Sequence, residues 1–133
     1  MSLNPNMQVL VVDDHRTMRR IIKNHLGQLG ITKIDEAGDG QEALQMLVRQ
    51  KYNLILADWN MMPMTGLELL EYVRKDVTYQ HKDVPFVMIT AEARTENVVK
   101  AKQADVDNYV IKPFNAETLE TKIKAALVKR NQA

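Results

Sequence analysis

Short apolar runs in this chain stop at residues that can do chemistry. Val9-Leu10-Val11-Val12 runs into Asp13-Asp14, Leu54-Ile55-Leu56-Ala57 into Asp58, and Phe86-Val87-Met88-Ile89 into Thr90. A fourth run, Tyr109-Val110-Ile111, leads into Lys112-Pro113. If these runs are neighbouring parallel strands, three carboxylates, a hydroxyl and an ammonium meet at one sheet edge. Carboxylates held that close repel one another strongly unless a cation joins them. A divalent metal site with an anion clamp resolves the conflict, and that combination points to phosphoryl chemistry.

The residue types suit those roles. Mg²⁺ takes oxygen ligands in an octahedron, commonly one or two carboxylates with waters and phosphate oxygens. Asp14 and Asp58 supply two ligands, Asp13 acts directly or through water, and Asn60 adds its backbone carbonyl. A carboxylate can also attack phosphorus and become an acyl phosphate. Asp58, the single acid at the centre of the sheet, is the best nucleophile. Lys112 holds a phosphoryl oxygen as a point charge, and Thr90 donates its hydroxyl to another.

Each residue alone has a plainer explanation. Paired aspartates after a strand often just favour a helix N-terminus. A strand-end Asp or Thr is commonly a turn residue, and Lys112 before Pro113 can be a solvated loop lysine. What argues for a site is the coincidence of all these endings. His15 can ligate a metal but reads more simply as a surface histidine; His25 and His81 carry no motif. Met61, Met62 and Met64 crowd the loop after Asp58, as packing or as an adaptable contact surface. Trp59 is a natural reporter. Tyr109 is either a core ring or a half-exposed one.

The elements that position these residues alternate between strand and helix. Met18, Ile21, Ile22, Leu26 and Leu29 form one apolar stripe on a helix that stops before Gly30. Residues 33–37 make a weaker strand, placed at a sheet edge. Ala43, Leu44, Leu47 and Val48 mark a second helix, and Leu67, Leu70 and Val73 a third that opens after Gly66. Val98, Val99 and Ala104 give a poorer fourth stripe. Ala116, Leu119, Ile123, Ala126 and Leu127 give a fifth, with Asn115 as its N-cap. Strands separated by helices pair in parallel through right-handed crossovers. Continuous apolar runs are what strands covered on both faces require. The expected fold is a doubly wound α/β sandwich with five strands and five helices.

Bulk composition narrows the function. The 133 residues are 45% hydrophobic and 26% charged, which fits one ordinary domain with a proper core. The expected body spans residues 7–128, with 1–6 and 129–133 as tails. Lys+Arg of 18 against Asp+Glu of 17 leaves a net charge of +1, with no reason to expect a nucleic-acid partner. No apolar stretch approaches the roughly 20 residues of a membrane span, and the polar start does not read as a signal peptide. Without cysteine there is no disulfide framework, which fits the cytoplasm.

The sets Val11-Val12-Asp13-Asp14, Asp58-Trp59-Asn60-Met61, Thr90-Ala91-Glu92-Ala93 and Lys112-Pro113-Phe114 resemble the receiver domains of two-component response regulators. Within that family the chain is most similar to the single-domain chemotaxis regulators. The resemblance covers residues 7–128. It implies strand order 2-1-3-4-5, Asp58 as phospho-acceptor, and Mg²⁺ held by Asp14, Asp58 and the Asn60 carbonyl with Asp13 close by. It also implies that Thr90 and Lys112 contact the phosphoryl group, that Tyr109 is an aromatic switch, and that Lys112-Pro113 is cis. The implied partners are a CheA-like sensor histidine kinase, the flagellar motor switch protein FliM as output, and a phosphatase. The implied state is a cytoplasmic monomer that catalyses only phosphoryl transfer to, and hydrolysis from, its own Asp58.

Several positions depart from the family pattern. Met61-Met62-Pro63 moves the usual proline by one, Thr65 replaces the Asp or Asn before Gly66, and Asp105 replaces a glycine. Thr95 and Lys102 also differ on the output face. Two alternatives stay open: a receiver with a non-motor output or phosphate-sink role, and a haloacid-dehalogenase-type Mg²⁺ phosphatase. Against the latter, Asp58-Trp59-Asn60 lacks the second acid that such enzymes place two residues on.

Overall fold

The computed structural model describes residues 3–75, 82–91 and 94–130. His81, Glu92 and Ala93 lie outside them. Five parallel strands, β1 (Gln8–Val12), β2 (Lys33–Ala37), β3 (Leu54–Asp58), β4 (Phe86–Thr90) and β5 (Asn108–Ile111), form one sheet in the order β2-β1-β3-β4-β5. Helices α1 (Arg16–Gln28), α2 (Gly40–Arg49), α3 (Gly66–Lys75), α4 (Thr95–Gln103) and α5 (Ala116–Lys129) supply the crossovers. The weak strand is indeed an edge.

Each strand feeds two cores, because successive side chains point to opposite faces. Val9, Val11, Leu54, Leu56, Val87, Ile89 and Val110 pack with Ile22 and Leu26 of α1 and with Leu119, Ile123 and Ala126 of α5. Leu10, Val12, Ile55, Ala57, Phe86 and Met88 pack on the other face with α2, α3 and Ala101 of α4. Both clusters are sealed from water, which is why the strands read as unbroken apolar runs.

Local signals set the helix ends. Asn115 Oδ1 accepts from the Thr118 amide at 2.8 Å, as expected, and Asp39 does the same for Glu42 at the start of α2. Thr65 and Glu68 cap α3 reciprocally. Glu68 donates its amide to Thr65 Oγ1 at 3.1 Å, and Thr65 donates its own to Glu68 Oε1 at 3.1 Å. The departure at Thr65 is thus absorbed by a capping box. Asp105 occupies a left-handed turn at φ 71°, which Asp tolerates better than most residues.

Two sequence expectations shift. On α4 the inward contacts come from Ala101 and Ala104, three residues apart, while Val99 is exposed. The tails also contribute to the body: Leu3 is only 4% exposed within the α1/α5 core, and Arg130 is anchored beyond α5. A tail boundary drawn from apolar periodicity cannot see either anchor.

Arg130 belongs to a buried clamp at the start of β4 and β5. Asp107 is fully enclosed, and it accepts from Arg74 Nη2 at 2.8 Å, Arg130 Nε at 2.6 Å and the Phe86 amide at 2.8 Å. Arg74 also donates to the carbonyls of Lys82, Val84 and Asp105. One carboxylate thereby ties α3, β4, β5 and the end of α5 together. Removing one member of a buried pair strands the other's charge at a cost of about 3–5 kcal/mol. Asp107→Ala is expected to lose ~3–5 kcal/mol in urea unfolding; a loss under about 1 kcal/mol, the range of surface pairs, would show the clamp to be incidental.

Candidate phosphorylation and metal site

Strand phase puts Asp13, Asp58 and Lys112 on one side. Asp13 continues the phase of Val9 and Val11, Asp58 that of Leu54 and Leu56, and Lys112 that of Val110, all on the α1/α5 face. Thr90 and Tyr109 belong to the opposite phase, with Met88, which pairs with Tyr109. The side chains follow. Lys112 Nζ crosses β4 to lie 3.4 Å from Asp58 Oδ1 and 3.6 Å from Asp13 Oδ2. Its backbone amide donates to the Thr90 carbonyl at 2.7 Å, and the Lys112-Pro113 bond is cis.

Asp13 and Asp58 are 0% and 3% exposed, whereas Asp14 opens to solvent. Three carboxylates face one ammonium, so the cluster keeps two negative charges without a counter-ion inside it. Asp13 Oδ2 is buried and accepts no hydrogen bond. Burial pushes the Asp58 carboxyl above the usual range, and the Asp13 charge pushes the same way; Lys112 and the Asn60 backbone amide pull it back only in part. An unsatisfied oxygen, a strained carboxylate and an excess of two charges fit a hard divalent cation bound through oxygen.

The other expected residues surround this bowl. Thr90 is 2% exposed at the end of β4, one residue past Ile89, which pairs with Asp58. Tyr109 is half-buried, with its ring edge-on to Trp59 at 6.4 Å. Gly66 closes the loop from below: its amide donates to the Trp59 carbonyl at 2.9 Å. A Cβ there would strike the Asp58 carbonyl and meet Met88 Sδ at 2.7 Å, so no other residue fits without displacing Asp58. Met61 is buried under the loop while Met62 stands 77% exposed.

The structure places two further residues against the bowl, Arg19 and His15. Arg19 Nη1 donates to the Asp13 carbonyl at 2.6 Å, and its Nε is held by Glu36 at 3.0 Å. Burial raises the proton affinity of Glu36, but hydrogen bonds from Lys23 and Arg19 outweigh it and leave the carboxyl below its usual range. His15 turns its ring back so that Nδ1 lies 3.0 Å from Asp14 Oδ1 and 3.3 Å from Asp13 Oδ1. Its adjacency to Asp14 was the only available signal.

Residues 9–124 match the response regulator receiver domain family. The chain belongs to that family. This receiver is 47% identical over 121 residues to chemotaxis protein CheY-3 of Vibrio cholerae, covering 91% of this chain and 92% of that protein. It superposes on the structure of Vibrio cholerae chemotaxis protein CheY4 with a TM-score of 0.82 at 32% identity, covering 91% and 98% of the two chains. It also matches response regulator TrrA of Thermotoga maritima, solved in complex with Mg²⁺-BeF, with a TM-score of 0.78 at 33% identity over 91% and 99%. Receiver domains are signalling proteins that histidine kinases phosphorylate and that act on output partners. No helix among the described residues is long and apolar enough to cross a membrane.

The raised proton affinity of Asp58 means that its ionised form is less favourable in the fold than in the unfolded chain. Stability from this group therefore increases as pH falls, because the folded chain takes up that proton before the unfolded chain does. Asp58→Asn, which keeps the shape and removes the charge, is expected to raise Tm by a few degrees in thermal melts with a chelator present. A lower Tm would show that the carboxylate is stabilising on balance.

Proposed function

We propose that this receiver is a phosphorylation-operated chemotaxis regulator. A carboxylate oxygen of Asp58 attacks the phosphorus of a phosphohistidine on a CheA-like kinase. A P–O bond forms, the P–N bond breaks, and the imidazole leaves with a proton. The observation that carries this reading is the convergence of Lys112 with Asp13 and Asp58 from three different strands. Lys112 holds a phosphoryl oxygen and Thr90 donates its hydroxyl to another. Asp13, Asp14, Asp58 and the Asn60 carbonyl hold Mg²⁺, which offsets charge on the phosphoryl oxygens. Hydrolysis returns Asp58 to its free form, and a phosphatase can act at the same place.

The switch follows from charge. Phosphorylation adds about −1.5 to −2 charges and new acceptor oxygens beside Thr90. Thr90 moves toward them, and Tyr109, on the same face of the sheet, takes up the space released. Shifting a two-state equilibrium from 1:99 to 99:1 needs about 5.5 kcal/mol of differential interaction. A few charge-assisted hydrogen bonds, at ~1.5–3 kcal/mol each, suffice. The output surface is α4, β5 and α5, where the exposed Val99 and Ile111 offer apolar contacts. The relation to chemotaxis regulators favours the flagellar motor switch protein FliM as its partner, with the protein acting as a cytoplasmic monomer, one receiver over residues 1–133.

Acetyl phosphate is expected to label the wild-type protein in Mg²⁺ and to leave Asp58→Asn unlabelled. Undiminished labelling of the variant would remove Asp58 from its role. Thr90→Ala is expected to accept phosphate yet lose the increase in affinity for a motor-switch peptide when loaded with beryllofluoride. An unchanged increase would break the link from Thr90 to Tyr109. A wild-type protein that takes phosphate but ignores the peptide would point instead to a phosphate-sink or other non-motor output.

A further inference from the structure

The cation site holds one donor that the oxygen chemistry above does not use. His15 caps the N-terminus of α1, and its side chain is 71% exposed. An imidazole that open to water has room to point elsewhere. Here its backbone amide donates to Asp13 Oδ1 at 2.8 Å, and the ring folds back over the two aspartates. The ligand atoms of Asp13, Asp14, His15 and Asp58 all lie within 4.8 Å of one another. Ligands on opposite sides of an ion at about 2.0–2.2 Å are about 4.0–4.4 Å apart, so one ion can reach all four after small movements. Asp13 Oδ2, enclosed and without a hydrogen-bond donor, is a second and separate sign that the bowl is built to be completed from outside.

Ligand type decides which ion such a set prefers. Carboxylates and carbonyls suit Mg²⁺ and Mn²⁺, whereas imidazole adds affinity for later first-row ions such as Co²⁺ and Zn²⁺. We propose that His15 supplies a nitrogen ligand to the cation of this receiver, so that the site takes Co²⁺ or Zn²⁺ in preference to Mg²⁺. This rests on the reading that the Asp13–Asp14–Asp58 cluster holds a divalent cation. A transition metal bound this way competes with Mg²⁺ at the place where Asp58 is phosphorylated.

Titrations of the full chain with Mg²⁺ and with Co²⁺, followed by Trp59 fluorescence, test the selectivity on wild-type and His15→Ala protein. The variant is expected to bind Co²⁺ about tenfold more weakly, with Mg²⁺ affinity within about twofold of wild type. Low-temperature pulsed EPR of the Co²⁺-loaded wild type should show ¹⁴N coupling that His15→Ala lacks. Equal losses for Mg²⁺ and Co²⁺, or no His15-dependent ¹⁴N signal, would overturn the role of His15 and leave the Mg²⁺ reading standing. A wild-type protein that binds neither ion would overturn both.

Discussion

Three carboxylates share a sheet edge with one ammonium, and two of the three are sealed from water. Every other feature of the site answers that imbalance. A charge in a poorly solvating place is costly unless an opposite charge or a hydrogen bond meets it. Lys112 meets Asp13 and Asp58 at 3.6 and 3.4 Å, too long for strong hydrogen bonds, and Asp13 Oδ2 has no other donor. The two apolar clusters hold the strands rigidly enough that the acids cannot drift apart. The interior therefore holds a costly arrangement of charges at the rim of the sheet, as functional sites commonly require.

The two faces of the sheet divide the work. The α1/α5 face carries Asp13, Asp58 and Lys112, and the opposite face carries Thr90 and Tyr109. Trp59, directly after Asp58, lies on the same face as Tyr109, the two rings edge-on with centroids 6.4 Å apart. The Asp107 clamp holds the opposite ends of β4 and β5.

Much of this was legible in the chain because burial on both faces writes an unmistakable pattern. The apolar runs gave the strands nearly to the residue, and their endings gave Asp13, Asp14, Asp58, Thr90 and Lys112. The edge position of β2 followed from its thin apolar content, but the strand order came only through family resemblance. On α4 a stripe of two valines misled, because a small residue, Ala101, makes the inward contact and Val99 does not. The Asp107 clamp left no trace: isolated charges in loops have no period, and Arg74, Asp107 and Arg130 meet only after folding. His15 is exposed, as a surface histidine is, and the direction of its ring over Asp13 and Asp14 depends on backbone geometry at the start of α1.

The alternation of side chains along the strands has a consequence for how such a chain can vary. Asp13, Asp58 and Lys112 reach one another because three separate segments keep the same odd–even count from core to rim. Exchanging one apolar residue for another inside those segments preserves the count. Adding or deleting a single residue within β1, β3 or β5 would turn the terminal side chain through half a revolution, away from its partners. Length variation is therefore tolerable in the connections at the other end of the sheet, while the segments themselves can diverge in composition but not in number.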